Sequence, residues 1–212
     1  MGIAQITPDS ANALPRLTLC RYLPSENLAE RPALLARLRE ELQLDQSLCI
    51  SVAENEMFTL LLVDAPEVEA NELKSAIRWR IKELIDFDVD DAVIDAFDVP
   101  GQEERGRQKL LYVVAARRAA VQSHINLLEE ERLNLSIIDI PELAMRNIAS
   151  LLPEDESGVA MLYLTHEGGL LTMTRQKDLF LARRLDIGLR QLSAFASTTS
   201  PGEAEDEFIL DE

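Results

Sequence analysis

The sequence has little of what most catalytic chemistry uses. Among 212 residues there are two cysteines, two histidines and one tryptophan. Two cysteines in a chain this long do not make a disulfide framework. Cys20 and Cys49 stand among apolar neighbours in strand-like runs, and read as buried free thiols of a reducing compartment. His124 and His166 have no cysteine or histidine at ligand spacing, which excludes a zinc site of the usual kinds. There is no Walker loop, dinucleotide fingerprint or nucleophile elbow. Gly168-Gly169 is the only glycine pair, and it fits a tight hairpin. Long apolar runs are missing too: "MFTLLLV" is far below the ~20 residues that span a bilayer, and "MGIAQITPDS" is no signal peptide.

Positive charge is scarce. With 21 basic and 38 acidic residues the net charge is −17, which argues against nucleic acid and against insertion into anionic membranes. Six of the acids and no base lie in the last sixteen residues, "STTSPGEAEDEFILDE", which predicts a flexible acidic tail over 197–212. Of Asp86, Asp88, Asp90 and Asp91, three stand in alternate positions on a strand entry, and the group reads as a solvated edge, not as a cation site.

What is present is a globular pattern, 47% hydrophobic and 28% charged. "IAQI" and "LTLCRYL" read as strands around a turn-rich loop, and Leu34, Leu35, Leu38 and Leu42 mark a helix. "LCISVA" and "MFTLLLV", divided by "ENE", fit a hairpin. Next come an amphipathic helix from about Asn71, the alternating strand "AVIDAFDV", a polar loop, and the more buried strand "KLLYVVAA". A helix over 117–131, the strand "LNLSIIDI" and a short helix opened by Pro141 follow. "PEDESG" marks a boundary, after which three apolar runs form a meander and a helix starts near Gly188. Hairpins mixed with strand–helix–strand units make an α/β or α+β chain.

The amphipathic helix poses the sharpest question. Leu73, Ile77, Ile81 and Leu84 form its apolar stripe, and Trp79 sits two positions from Ile77 and Ile81, about 200° away around the axis. Trp79 therefore faces a second interface, either another subdomain or a partner. Arg78 and Arg80 flank it, positioned for ion pairs with the acids at Asp86 to Asp91. The expected partner-binding residues are Arg78, Trp79 and Arg80.

Two stretches, "ELKSAIRWRIKELIDFDVDDAVIDAFDV" and "KLLYVVAARRAAVQSHINLLEEERLNLSIIDIPELAMRNI", resemble the PilM family of type IV pilus assembly proteins. The shared course is an A-I-R-W helix, an IPF-like turn, an acidic alternating strand, a V-A-A strand leading into a helix, and a further strand and short helix. The resemblance spans roughly Glu72 to Gly188 and is nearest to members from mannose-sensitive haemagglutinin (MSHA) pilus systems. It implies an actin-like (ribonuclease H-like) fold with an inserted α/β subdomain and an incomplete second lobe. The implied divisions are 1–65 with 140–152, an insert over 66–139, the start of a second lobe over 158–196, and the tail.

It also implies a cytoplasmic scaffold, peripheral to the inner membrane, that binds the N-terminal peptide of a bitopic inner-membrane partner of the PilN type, among other pilus or secretion platform components. Actin-like ATPases hold phosphate on two hairpins opening Asp-x-Gly, where an acid organises the metal and a glycine lets backbone N–H groups reach the phosphate. "IAQITPDSANALPRL" has no Asp-x-Gly, and in "MLYLTHEGGLLTMTR" Tyr163 takes the aspartate's place and Thr165 the glycine's. The glycine-rich adenosine segment of a second lobe is absent as well. The expectation is therefore no nucleotide, no other cofactor and no catalysis. The alternatives are a GspL-like cytoplasmic domain of type II secretion and an active actin-like ATPase.

Overall fold

A computed structural model describes residues 1–7, 16–23, 28–69, 71–102 and 109–198. The strands and helices run β1 (Gly2–Thr7), β2 (Arg16–Tyr22), α1 (Arg31–Leu42), β3 (Leu48–Val52), β4 (Phe58–Asp64), α2 (Leu73–Ile81) and β5 (Ala92–Asp98). They continue as β6 (Leu110–Arg117), α3 (Arg118–Glu130), β7 (Asn134–Asp139), α4 (Pro141–Ala149), β8 (Val159–Leu164), β9 (Gly169–Arg175), β10 (Asp178–Leu185) and α5 (Leu189–Thr198). The tail expected from 197 lies, beyond Thr198, outside the described residues, as does the first hairpin's loop.

The chain packs as two compact units, one of 1–49 with 123–136, the other of 50–122 with 137–212. These divisions do not coincide with the subdomain boundaries implied by the resemblance. In the first unit β1 and β2 pair antiparallel, with Ala4 opposite Cys20 and a bulge between Gln5 and Ile6. A small core gathers Leu35, Leu128 and Leu133, flanked by Met1, Leu44, Cys49 and Leu127. Helix α1 closes on Gln43 in the left-handed region (φ 53°), whose N–H donates to the Arg39 carbonyl.

The second unit holds two three-stranded antiparallel sheets, β4-β6-β5 and β10-β9-β8. Strand β6 is central and buries Leu111, Tyr112, Val113, Ala115 and Ala116, which explains its nearly unbroken apolar sequence. Helix α2 lays Ile77 and Ile81 onto this sheet against Val63, Val89, Leu111 and Val113. Each buried Ile or Val of this kind contributes about 1.5–3 kcal/mol. Helix α4 packs on the β8–β10 sheet.

An ion pair between the buried Glu142 and the partly exposed Arg184 ties α4 to β10. Glu142 is 1% exposed, and one of its carboxylate oxygens accepts from the Arg184 Nε at 3.2 Å and lies 3.1 Å from Nη2. The other oxygen has no partner. The Arg184 guanidinium lies 4.7 Å over the Phe58 ring and also donates to the Asn55 carbonyl. Burial pushes the nearby Tyr112 phenol up. The Ala182 N–H, donating to its oxygen, pulls it down, and the Glu142 charge adds to the rise.

Three expectations need correction. Strands β3 and β4 are not a hairpin: β3 pairs with β7 and β4 with β6. The Ala53 N–H donates to the Asp139 carbonyl and a 3-10 turn over 55–57 follows, so the chain leaves one pairing before it enters the next. Leu84 is outside the core at 54% exposed, because α2 stops at Ile81 and Ile85 takes the place beside the buried cluster. Cys20 is exposed, since its side of the two-stranded ribbon is uncovered. Cys49 is half-buried and burial raises its thiol.

Candidate partner-binding groove

The groove is made by α2 and the turn that follows it. Helix α2 turns Ile77 and Ile81 inward, and the 3.6-residue repeat then carries Trp79 outward, where it is 84% exposed. A groove of about 470 Å³ lies beside the indole, walled by Ser75, Arg78 and Lys82 of the helix side and by Phe87, Asp88 and Asp90 opposite. Large apolar groups on a folded surface are common; here the indole adds an exposed aromatic face to the groove's lining.

The walls are held from behind. Arg78 reaches across and donates to the Val89 carbonyl at 2.7 Å and the Ala92 carbonyl at 3.2 Å. The Asp88 carboxylate accepts the Asp90 N–H at 3.0 Å, capping the short turn over 89–91. Arg117 covers the Phe87 ring at 4.5 Å and pairs with the Asp86 carboxylate at 3.3 Å. These contacts fix the opposite wall relative to α2 without using the indole.

Arg78, Trp79 and Arg80 therefore lie together on α2 as expected, but the expected ion pairs differ. Arg78 binds carbonyls, not the acids of 86–91, because the turn presents its backbone oxygens to the helix. Arg80 pairs with Asp64 at 3.3 Å, on β4, and Asp86 goes to Arg117. Ser75, Lys82 and Phe87 were not singled out from sequence. Phe87 belongs to the IPF-like turn, and that position was the available signal. The groove carries an aromatic surface with Lys82 on one side and acids on the other.

The second hairpin, where an actin-like ATPase would hold phosphate, is the β8–β9 turn. The Thr165 N–H donates to the Gly168 carbonyl at 2.8 Å, and the Thr165 hydroxyl accepts the Gly168 N–H at 3.1 Å. The start of α5 docks on this turn: the Leu189 and Arg190 N–H groups donate to the Thr165 and His166 carbonyls, and the Gly188 N–H to the Gln191 side chain. Glu167 pairs with Arg190 at 3.0 Å, and His166 is exposed beside it. His124 lies on α3. Among the described residues no cluster of His, Cys, Asp or Glu is arranged to hold a metal ion, and no helix is long and apolar enough to cross a membrane.

Comparison with solved structures defines the class. The chain is similar to a protein of a PilM–PilN type IV pilus biogenesis complex (TM-score 0.69, 21% identity), over 91% of this chain and 60% of that one. It is similar to the cytoplasmic domain of EpsL, an inner-membrane component of the type II secretion system of Vibrio cholerae (0.55, 14%), over 99% and 74%. A protein with an actin-like ATPase fold from Bacteroides thetaiotaomicron matches at 0.51 and 8% identity, over 92% and 70%. The fold is actin-like, and the chain spans about 60% of the length of the PilM–PilN relative. Residues 26–200 match the family described as type IV pilus assembly protein PilM, and the chain belongs to that family. No curated protein matches it.

Proposed function

We propose that this protein is a non-catalytic scaffold of an MSHA-type pilus assembly platform, an MshI-like member of its family, held at the inner membrane through a bitopic partner. It receives the partner's cytoplasmic peptide, of the PilN type, in the groove beside Trp79. The observation that carries the reading is the 84% exposed indole at the mouth of a braced groove. The family match favours a pilus platform over type II secretion.

The test is binding of a synthetic peptide from the cytoplasmic N-terminus of a PilN-type protein. Trp79→Ala is expected to weaken binding about 30-fold or more, the cost of losing a central aromatic anchor. Because the side chain is exposed, stability is expected to stay within about 0.5 kcal/mol. Unchanged binding would overturn the assignment of the groove.

The scaffold reading also holds that the protein does not use ATP. Support comes from the second hairpin. Its loop is closed on itself by Thr165, and the first α5 N–H groups are taken up by turn carbonyls. Thermal melts with and without Mg-ATP are expected to coincide. A rise of several degrees would indicate binding to the native state and would contradict this reading.

A further inference from the structure

The groove beside Trp79 sorts its charges by wall. The charged lining residues are Arg78 and Lys82 on the helix side, and Asp88 and Asp90 on the turn side. The Arg78 guanidinium is committed, donating to the Val89 and Ala92 carbonyls at 2.7 and 3.2 Å. The helix side therefore offers a ligand one cation, the exposed Lys82. The turn side offers two exposed carboxylates. One Asp88 oxygen accepts the Asp90 N–H, and the Asp90 carboxylate has no partner among the described residues. Asp91, also exposed, adjoins them, while Asp86 is taken by Arg117.

We propose that the turn side of the groove selects a basic residue of the incoming peptide, whose cation meets Asp88 and Asp90 while its aliphatic stem lies on the Trp79 indole. This rests on the reading of the groove as the seat of a bitopic partner's cytoplasmic segment, and names the charge that segment must carry. The free charges of the lining are two carboxylates against one ammonium. The whole chain carries −17, so its field draws cations in and holds anions off. Arg117 already covers the Phe87 ring at 4.5 Å, which leaves the 84% exposed indole as the open aromatic surface. A long basic side chain uses such a surface well, with its stem on the ring and its cation beyond it.

The partner's topology supplies the same charge. Cytoplasmic segments close to a membrane span carry an excess of lysine and arginine. An acidic scaffold is repelled by an anionic inner leaflet, and a basic segment bridges the two.

Binding kinetics with the full chain test this. The probe is a synthetic cytoplasmic N-terminal peptide of a PilN-type protein, N-acetylated, in three forms: natural, with its Lys and Arg replaced by glutamine, and with them replaced by glutamate. The glutamine form is expected to bind about 5-fold more weakly than the natural one, mainly through slower association, as for charges at a rim. Asp90→Lys is expected to weaken the natural peptide about 10-fold and to strengthen the glutamate form. Its melting temperature is expected to match the parent's, because the replaced side chain is exposed. Lys82→Glu is expected to tighten the natural peptide. Raising salt from about 50 to about 500 mM is expected to remove most of these differences. Equal binding of the three peptides overturns the proposal, as does a natural peptide that Asp90→Lys binds as well as the parent does. Trp79→Ala separates the two layers. Binding lost there but untouched by Asp90→Lys refutes the charge selection alone, and binding untouched by either variant refutes the groove as well.

Discussion

Replacing Arg184 with alanine is expected to cost about 2 kcal/mol of stability, the scale for leaving a buried carboxylate without its partner where the lost arginine was itself 38% exposed and water can partly replace it. For a protein of this size that lowers the melting temperature by roughly 4–8 °C. The reason is the environment of Glu142. Its carboxylate is 1% exposed, its second oxygen already lacks a partner, and Arg184 holds the first. Without the guanidinium a buried carboxylate stands alone between α4 and the β10 strand, and the packing of that cation over Phe58 is lost as well. The double replacement Glu142→Leu with Arg184→Met is expected to cost less than Arg184→Ala, because no unpaired charge remains. Denaturant melts of the three proteins check this. A single-variant loss below about 1 kcal/mol would contradict it.

Gly188→Ala is expected to be at least as costly, for a steric reason. Gly188 is buried where the chain leaves β10 and enters α5. A Cβ there would stand 2.5 Å from both the Gly168 nitrogen and the His166 oxygen and 2.6 Å from the Glu167 carbonyl carbon. All three are backbone atoms, so no side-chain rotation relieves the overlap. The β8–β9 turn has to move, and with it the two hydrogen bonds from Leu189 and Arg190 that seat α5. Overpacking against backbone costs about 3 kcal/mol. The expected signature is a lowered melting point together with faster hydrogen exchange over 165–168 and at the start of α5. Normal exchange in that turn would show that the contact is not as tight as described.

Sequence periodicity was a good guide wherever one element meets one core. The stripe Leu73, Ile77, Ile81 gave α2 its inward face, and Trp79 followed as the outward residue by geometry alone. The meander of β8–β10 and the buried character of β6 were legible for the same reason. What failed depended on distant partners. Strands β3 and β4 are neighbours in sequence, yet β3 pairs with β7, more than eighty residues on. Glu142 and Arg184 are 42 residues apart and each looks like an ordinary surface charge in its own segment. Cys20 sits in an apolar run, but nothing local tells that its ribbon goes uncovered on that side. The Arg78 pairing was missed because backbone carbonyls compete for guanidinium as well as carboxylates do, and sequence displays only the latter; the Arg80 pairing was missed because its carboxylate, Asp64, lies on a different strand.

The fold is what makes the groove usable. Helix α2 is anchored by Ile77 and Ile81 in a buried cluster, and Arg78 and Arg117 brace the facing turn, so the indole needs no rearrangement to be reached. A prearranged anchor lowers the ordering cost of binding an extended peptide.

Trp79 is the only tryptophan, so its fluorescence reports on the groove without any label. Titration with the N-terminal peptide of the PilN-type partner is the most direct measurement. Emission typical of a solvated indole is expected in the free protein, shifting to the blue in proportion to the peptide bound, with iodide quenching lost in parallel. Peptide that binds by calorimetry while the emission and quenching of Trp79 stay unchanged would contradict the account.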